Sequence, residues 1–210
     1  MARRGERTRK RILKTTRSLL SIYGSNATTL EDIITGSAIS KGAFYHHFKS
    51  KDAACETVID EAIGDYRRLF ESLDHESSPL EQLTEFIDTL DELNSSGRWI
   101  NCRLMLRLSA QTHQGHDRIK QKIRQFWTWY TGLFEEMIGK CQQTGELTDQ
   151  VDAQTQGQLL MSIIAGSITL EKPVPNRKTS ISRLARTALK SLTADYSELH
   201  SSNLISPPRH

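Results

Sequence analysis

The chain has 210 residues, of which 37% are hydrophobic and 25% charged, as expected for a globular protein of one or two domains. Its three widely spaced cysteines argue against a disulfide framework or paired metal ligands. No apolar run approaches the roughly 18 residues of a membrane span, and the N-terminus lacks the apolar core of a signal peptide. We therefore expect a cytoplasmic protein without a membrane partner. Residues 1–52 contain eleven Lys/Arg and four Asp/Glu (+7), whereas residues 53–210 contain seventeen and twenty-one (−4), which predicts that the N-terminal part meets a polyanion.

A first helix is predicted over about residues 5–24. The residues of its buried face recur at helical spacing, and Gly24 is a typical residue to end a helix. That face consists of Ile12, Leu13, Thr16, Leu19, Leu20 and Tyr23.

Two short helices joined by a tight turn are predicted within residues 28–51. Each has one apolar face, and the turn between them contains Ala38 and Ile39. The faces are formed by Leu30, Ile33 and Ile34 in the first helix and by Phe44 and Phe48 in the second. We expect both phenylalanines to lie in the core.

Cap signals support very short, tightly packed helices in this region. Thr28 or Thr29 can cap the first of the two helices, Ser40 the second, and Ser50 a third that follows. A pair of capped helices behind a basic N-terminus indicates a helix-turn-helix unit that binds DNA.

The runs TTLEDI and ISKGAFYHHFKSKD resemble the helix-turn-helix of TetR/AcrR-type transcriptional regulators, whose recognition helix begins near a Ser-Lys-Gly-like triplet and ends in Tyr-x-His-Phe followed by Lys-x-Lys. Ala38 stands where the family often has glycine, which is compatible if the φ of Ala38 is negative. Ala43 stands where many relatives have threonine, so a hydroxyl is missing there. The resemblance implies an all-α protein with a three-helix DNA-binding domain over residues 1–52 and a helical ligand-binding and dimerisation domain over residues 53–196.

The N-terminal residues of a recognition helix face base edges in the major groove. We therefore expect Lys41, Gly42 and Ala43 to lie at base edges, and we count the cap Ser40 beside them among the DNA-binding residues. Lys41 is the one with a long donor, and contact with a guanine would be worth about 1–3 kcal/mol of discrimination. Gly42 lowers helix propensity by roughly 1 kcal/mol relative to alanine, and we expect close approach of its backbone to DNA in compensation.

Phosphate contacts are implied by the resemblance at Thr29, Tyr45, His46 and Lys51. The N-terminal arginines are expected to form an arm that enters an adjacent groove or raises non-specific affinity. These arginines are Arg3, Arg4 and Arg7. The alternatives are a solvated tail for the arm and structural surface roles for Tyr45 and His46.

The rest of the chain is predicted as helix after helix, without alternating strand patterns or internal repeats. A connecting helix spans residues 51–73, and a break at residues 77–79 follows it. Further helices are predicted at about residues 80–90, 99–112, 117–143, 152–170 and 179–195, and residues 197–210 are expected to be a disordered tail.

The resemblance implies a small-molecule pocket in the second domain. Flat rings and thioethers suit variable apolar ligands, and the chain offers several. The candidates are Trp99, Cys102, Met105, Trp127, Tyr130, Phe134 and Met161. The spacing of the last three aromatic residues also fits an ordinary core-facing helix. Arg103 and Arg107, four residues apart, are candidates for an anionic ligand group, with plain solvation as the alternative.

Cys102 is also a candidate sensor of electrophiles or oxidants. Arg98 and Arg103 would lower the pKa of its thiol and favour the reactive thiolate. A buried, inert thiol is the favoured interpretation.

Two apolar helices near the C-terminus are predicted to form a four-helix interface across a two-fold axis. The interface candidates are Leu159, Leu160, Ile163, Ile164, Leu184, Ala188, Leu189 and Leu192. Packing inside one subunit is the alternative.

These features together predict a dimeric, nucleoid-associated repressor that binds a palindromic operator and leaves it when a small-molecule effector changes the spacing of the recognition helices. No cofactor or metal is expected. The alternatives are a constitutive architectural DNA-binding protein and, less favoured, a helical enzyme. For an enzyme, the nearest approach to a catalytic or metal-binding set is His113 and His116 beside Asp117.

Overall fold

The computed structural model describes residues 2–97, 99–111, 117–170 and 180–192, with side chains from residue 5 onward. These ranges are largely helical and contain no strand, which confirms the predicted all-α class. The helices are α1 (Ala2–Ala27), α2 (Leu30–Gly36), α3 (Lys41–His47), α4 (Lys51–Glu71), α5 (Pro79–Ser95), α6 (Asn101–Ser109), α7 (Asp117–Gln143), α8 (Ala153–Leu170) and α9 (Ile181–Lys190). No helix in these ranges is long and apolar enough to cross a membrane.

The helix boundaries agree closely with the sequence pattern. Gly24 interrupts α1 with φ 79° and ψ −177°, so the predicted end of the first helix is confirmed, although helical turns resume as far as Ala27. α6 and α9 are several residues shorter than predicted. The proposed tail at residues 197–210 and the two histidines considered for an enzyme site, His113 and His116, lie outside the described residues.

Two compact units divide the chain. The first contains the residues up to Ser72 and those from Leu93 to Trp129, and so comprises α1–α4, α6 and the first half of α7. The second contains Leu73–Glu92 and the residues from Tyr130 onward, and so comprises most of α5, the rest of α7, α8 and α9. The domain boundary expected at residue 52 stays a prediction.

The core of the first unit joins α1, α2, α3 and α4. Ile12, Leu20, Ile33, Phe44 and Ile59 are fully buried. Tyr23 departs from the predicted stripe, being 53% exposed where α1 ends. Among the described helices, α6 makes the most extensive contact with α1. The sequence pattern did not indicate this packing.

Capping carboxylates hold helix ends in the second unit. Asp91 on α5 accepts hydrogen bonds from the hydroxyls of Ser180 and Ser182 at the start of α9 (2.8 and 2.6 Å). Glu146 accepts hydrogen bonds from the Ser78 hydroxyl (2.6 Å) and the Leu80 backbone N–H (3.2 Å) at the start of α5. These bonds satisfy helix N-termini that would otherwise lack acceptors.

Candidate DNA-binding surface

Side-chain caps define the start of each helix in the helix-turn-helix unit. Thr29 and Asp32 form a capping box, in which the Thr29 hydroxyl accepts from the Asp32 N–H (3.1 Å) and the Asp32 carboxylate accepts from the Thr29 N–H (2.8 Å). The capping residue of α2 is therefore Thr29. Ser40 and Ser50 cap α3 and α4 as predicted, each accepting a backbone N–H at 3.1 Å.

The turn between α2 and α3 is left-handed at Ala38, whose φ is +49°. The Ala38 N–H donates to Thr35 (3.0 Å) and the Ile39 N–H to Ile34 (3.2 Å), the two bonds of a Schellman helix end. The condition under which an alanine is readily accommodated here, a negative φ, is therefore not met. In this left-handed conformation, a residue with a Cβ such as Ala38 is about 1–2 kcal/mol less stable than glycine.

The N-terminal end of α3 is open to solvent. Lys41 and Gly42 are exposed, and a Cβ built on Gly42 would have the Ser40 hydroxyl, at 3.9 Å, as its nearest neighbour. Ala43 is half-buried. Phe44 and Phe48 are buried, which confirms their core role and fixes the rotation of α3 about its axis. The helix thus presents the residues predicted at base edges to solvent.

The residues predicted to contact phosphates fall into two groups. Tyr45 is 49% exposed and His46 is exposed, so both side chains are accessible. The Thr29 hydroxyl instead donates to Asp32 (2.7 Å), and the Lys51 ammonium donates to the carbonyls of Ser25 and Thr28 (2.9 Å each). Lys51 thus has one N–H left for a phosphate.

Arginines on α1 flank the recognition helix. Arg7 is exposed, whereas the side chains of Arg3 and Arg4 lie outside the described part of the chain. The Arg9 guanidinium lies 5.4 Å from the centroid of the Phe48 ring, and Arg11 reaches the Ala38 carbonyl (3.4 Å). Neither was singled out from the sequence, although Arg7 and Arg11 share a helix face by their spacing of four residues.

One titratable group beside these arginines has a shifted pKa. Partial burial, the neighbouring His46 and the positive charge of Arg9 lower the pKa of His47 below its ordinary value. His47 is therefore mostly neutral at neutral pH, so it adds little to the positive charge of this surface.

The residues proposed for a ligand pocket are divided between the two units. Trp99, Cys102, Met105 and Trp127 belong to the first unit, and Tyr130, Phe134 and Met161 to the second. The Trp127 indole N–H donates to the Ser109 hydroxyl (2.5 Å), and Met105 is fully buried. Tyr130 and Phe134 pack on Phe86, with ring centroids 6.4 and 5.8 Å away.

Grooves that were not predicted open on the described part of the first unit. One, of about 280 Å³, lies between α4 and α7, where the Arg67 guanidinium sits 5.5 Å from the centroid of the Trp129 ring. Another, of about 420 Å³, lies between α1 and α4 and is lined mainly by charged side chains. In it, Arg17 donates to Asp65 (2.9 Å), Glu61 (3.1 Å) and Asn101 (3.1 Å).

Cys102 is buried, and burial raises the pKa of its thiol to about 11. A hydrogen bond from the Tyr66 hydroxyl (2.9 Å) and the charge of Arg103 offset only part of this rise. The expectation of a lowered pKa is therefore wrong, because desolvation outweighs the nearby positive charge. The geometry agrees with the favoured interpretation, a buried, inert thiol. Arg103 remains half-buried on α6.

The eight residues proposed for a dimer interface divide by burial. Four belong to the core of the second unit: Leu160, Ile164, Leu189 and Leu192. The others are accessible, with Leu159 and Leu184 46% and 39% exposed and Ile163 and Ala188 half-buried. Leu170, 52% exposed, extends the same stripe of α8 by helical spacing.

Comparison with known proteins identifies the helix-turn-helix. The sequence profile of bacterial regulatory proteins of the tetR family matches residues 12–54. An uncharacterized HTH-type transcriptional regulator in the lacX 3′ region of Lactococcus lactis subsp. lactis is 28% identical over 191 residues, covering 84% of this chain and 94% of that protein. The HTH-type transcriptional repressor KstR2 of Mycolicibacterium smegmatis is 38% identical over 80 residues, but covers only 36% of this chain and 38% of its own length.

Solved structures share the fold over nearly the whole chain. A TetR-family regulator from Agrobacterium tumefaciens superposes with a TM-score of 0.77 at 17% identity, covering 90% of this chain and all of that one. A gamma-butyrolactone receptor described as ArpA-like superposes with a TM-score of 0.72 at 18% identity, covering 94% of this chain and 93% of that one. At these identities the likeness shows the fold.

Proposed function

Since the chain belongs to the TetR family of bacterial regulatory proteins, whose members are DNA-binding transcriptional regulators and not enzymes, we propose that it is a homodimeric repressor of a palindromic operator that a small-molecule effector releases. The observation that carries this proposal is the exposed N-terminal end of α3, with Lys41 and the open backbone at Gly42 held on a capped, core-anchored helix. With DNA as its partner, the protein would be found at the nucleoid.

DNA contact would combine base reading by α3 with phosphate contacts around it. Lys41 supplies a long donor for a base edge, while Tyr45, His46 and Arg7 are accessible for phosphates. Phosphate contacts supply affinity that falls steeply with salt, whereas base contacts supply sequence preference. Repression is the proposed outcome because KstR2, which is similar over 80 residues, is named a repressor.

Dimerisation would use the accessible stripe of α8 and α9. Leu159, Ile163 and Leu170 recur on one face of α8, and Gly166 between them leaves open space where a side chain would stand. Leu184 and Ala188 supply the corresponding face of α9. A contact between two copies of this face is self-complementary about a two-fold axis, which matches a palindromic operator.

The effector would be a small molecule of mainly apolar character. One neighbour in fold is named a gamma-butyrolactone receptor, and aromatic and thioether side chains line the core helices of this chain. An effector releases DNA only if it binds one spacing of the two recognition helices more tightly than the other. α4 begins at Lys51, directly behind the recognition helix, and is the element proposed to transmit that change.

The test is selection of bound fragments from the source genome, followed by affinity measurement on the selected DNA. We expect a palindromic motif, a steep decrease in affinity with salt, and release by a compound related to the products of the neighbouring genes. Equal affinity for selected and random DNA would contradict repression of a specific operator. Specific binding that no such compound releases would instead support a constitutive DNA-binding protein.

A further inference from the structure

The corner between α1 and α2, residues 22–28, is held by side chains that reach it from other helices. Within the corner, the Thr28 hydroxyl donates to the Gly24 carbonyl (2.7 Å). The Lys51 ammonium, from α4, donates to the carbonyls of Ser25 and Thr28 (2.9 Å each). These carbonyls lie where α1 ends, so they have no partner within a continuous helix.

The last two carbonyls of the regular part of α1 are bound from α6. Arg107 donates from Nε (2.9 Å) and Nη2 (2.6 Å) to the carbonyl of Ile22. Gln111, just beyond the end of α6, donates from Nε2 to the carbonyl of Tyr23 (3.0 Å). A cation at a helix C-terminus also interacts favourably with the helix dipole. Residues 85 and 88 positions later in the chain therefore satisfy this helix end.

Gly24 and Gln111 fit each other closely. A Cβ built on Gly24 would lie 2.1–2.3 Å from the Gln111 carboxamide, and the φ of +79° disfavours any other residue there. The carboxamide thus occupies the space that a side chain at Gly24 would fill. The corner between α1 and α2 is therefore complementary in shape to the side chain of Gln111, which follows α6.

We propose that Arg107 and Gln111 are positioning residues for DNA reading, which fix the orientation of the helix-turn-helix unit on α6. The helix-turn-helix follows the corner directly, because Thr29 caps α2 and α3 comes after it. The hydrophobic core sets their arrangement against α1, whereas the bonds from Arg107 and Gln111 tie the end of α1 to α6. This inference rests on the proposed dimer, because orientation matters most when two helix-turn-helix units must meet two half-sites at once.

The expected consequence is specific to bipartite DNA. Once one half-site is bound, binding of the second is intramolecular, and its strength depends on how well the helix-turn-helix of the other subunit is held in place. Loss of the two positioning side chains lets each helix-turn-helix pivot, which weakens simultaneous contact with both half-sites. A single half-site requires no fixed relation between the two helix-turn-helix motifs of the dimer, so the affinity for it is retained.

The experiment compares wild-type protein with the double variant Arg107→Ala/Gln111→Ala on two DNAs, the selected palindrome and the same DNA with one half-site scrambled. We expect the double variant to lose about tenfold in affinity for the palindrome and to stay within about twofold on the single half-site. The salt dependence should keep its slope, since no phosphate contact is removed. Arg107→Lys should recover part of the loss.

The matched control is Arg124→Ala, which removes an exposed arginine of α7 from the same unit and should leave both affinities unchanged. If the double variant does not fold, Gln111→Met gives a milder form of the comparison, because it keeps the side-chain length, adds no charge and removes the donor to Tyr23. Thermal unfolding checks that each variant is folded.

Three outcomes would overturn the inference while the proposed function stands. These are an unchanged affinity for the palindrome, an equal loss on the single half-site, and a salt slope that decreases by about one, which indicates direct phosphate contact by Arg107. A wild-type protein that does not prefer the palindrome to the half-site would instead overturn the proposed function, and with it this inference.

Discussion

The Tyr66 hydroxyl donates a hydrogen bond to the Cys102 sulfur across 2.9 Å in the core of the first unit. With the pKa of this thiol raised to about 11 by burial, about one molecule in ten thousand carries the thiolate at pH 7. Because the thiolate is the nucleophile, we expect Cys102 in the native protein to react with iodoacetamide at least about a hundredfold more slowly than in the unfolded chain. Mass spectrometry of the labelled peptide measures this.

The comparison needs the same peptide labelled in denaturant, and a Cys102→Ser variant tested for electrophile-induced release of DNA. Release that is the same in Cys102→Ser and wild type agrees with an inert thiol. Labelling of native Cys102 at the denatured rate, or loss of release in the variant, would contradict it.

Ala38→Gly is expected to stabilise the protein. Relief of the left-handed conformation at φ +49° gains about 1–2 kcal/mol, and the greater chain entropy of glycine offsets roughly 0.5–1 kcal/mol of it. The net increase in the free energy of unfolding is then up to about 1.5 kcal/mol, measured by denaturant unfolding. Ala53→Gly, within the first turn of α4, is the control and should destabilise. A decrease in stability for Ala38→Gly would show that the turn does not strain this side chain.

Local features were predictable from the sequence, and long-range contacts were not. Ser40 and Ser50 cap their helices because a cap depends on residues three positions apart. The helix end at Gly24 is local in the same way. The hydrogen bonds from Arg107 to Ile22 join residues 85 positions apart, and no periodic pattern reports such a pair.

Errors at the candidate site have physical causes as well. The sequence shows the charges around Cys102 but not its burial, and desolvation is what decides the pKa of its thiol. For Lys51 the sequence shows the charge of a phosphate ligand but not the two carbonyls near the end of α1 to which its ammonium donates, so its phosphate contact stays a prediction. Apolar spacing likewise places Leu159 and Leu160 on one helix without telling which of them faces the subunit core.

Asp91→Asn is expected to weaken the second unit in a pH-dependent way. Burial raises the pKa of Asp91, but hydrogen bonds from Ser182, Ser180 and the Ile181 N–H outweigh it, so the pKa lies below the ordinary 3.8. A carboxyl group with a lowered pKa in the folded state stabilises above its unfolded pKa, and this contribution is lost as the pH falls through the folded value. The variant should lose about 1–2 kcal/mol at pH 7 and less below about pH 4.

Urea unfolding at pH 7, 4 and 3 measures the difference between wild type and Asp91→Asn. Asp149→Asn, at an exposed position of the same unit, is the matched control and should change the free energy of unfolding little at any of these pH values. A wild-type advantage over Asp91→Asn that is as large at pH 3 as at pH 7 would rule out the ionised carboxylate as its source.

Lys41→Ala is expected to relax sequence preference at one base position of the operator. Loss of a base-edge donor should reduce discrimination at that position by about 1–3 kcal/mol. Lys49→Ala, an exposed lysine just beyond α3, is the matched comparison and should weaken binding to all sequences while reducing the salt slope by about one. Affinities for a set of single-base operator variants distinguish the two. A uniform loss for Lys41→Ala would assign this residue to the phosphates instead.

Leu159→Glu and Leu184→Glu are expected to convert the proposed dimer to a monomer. These side chains are 46% and 39% exposed on adjacent helices, so a carboxylate is tolerated in the single subunit but would be buried without a partner in a two-fold contact. Val151→Glu, at a 37% exposed position outside α8 and α9, controls for the added charge. Sedimentation at micromolar concentration should find monomers for the first two variants and dimers for Val151→Glu. Dimers that persist in both leucine variants would place the interface on another face of the protein.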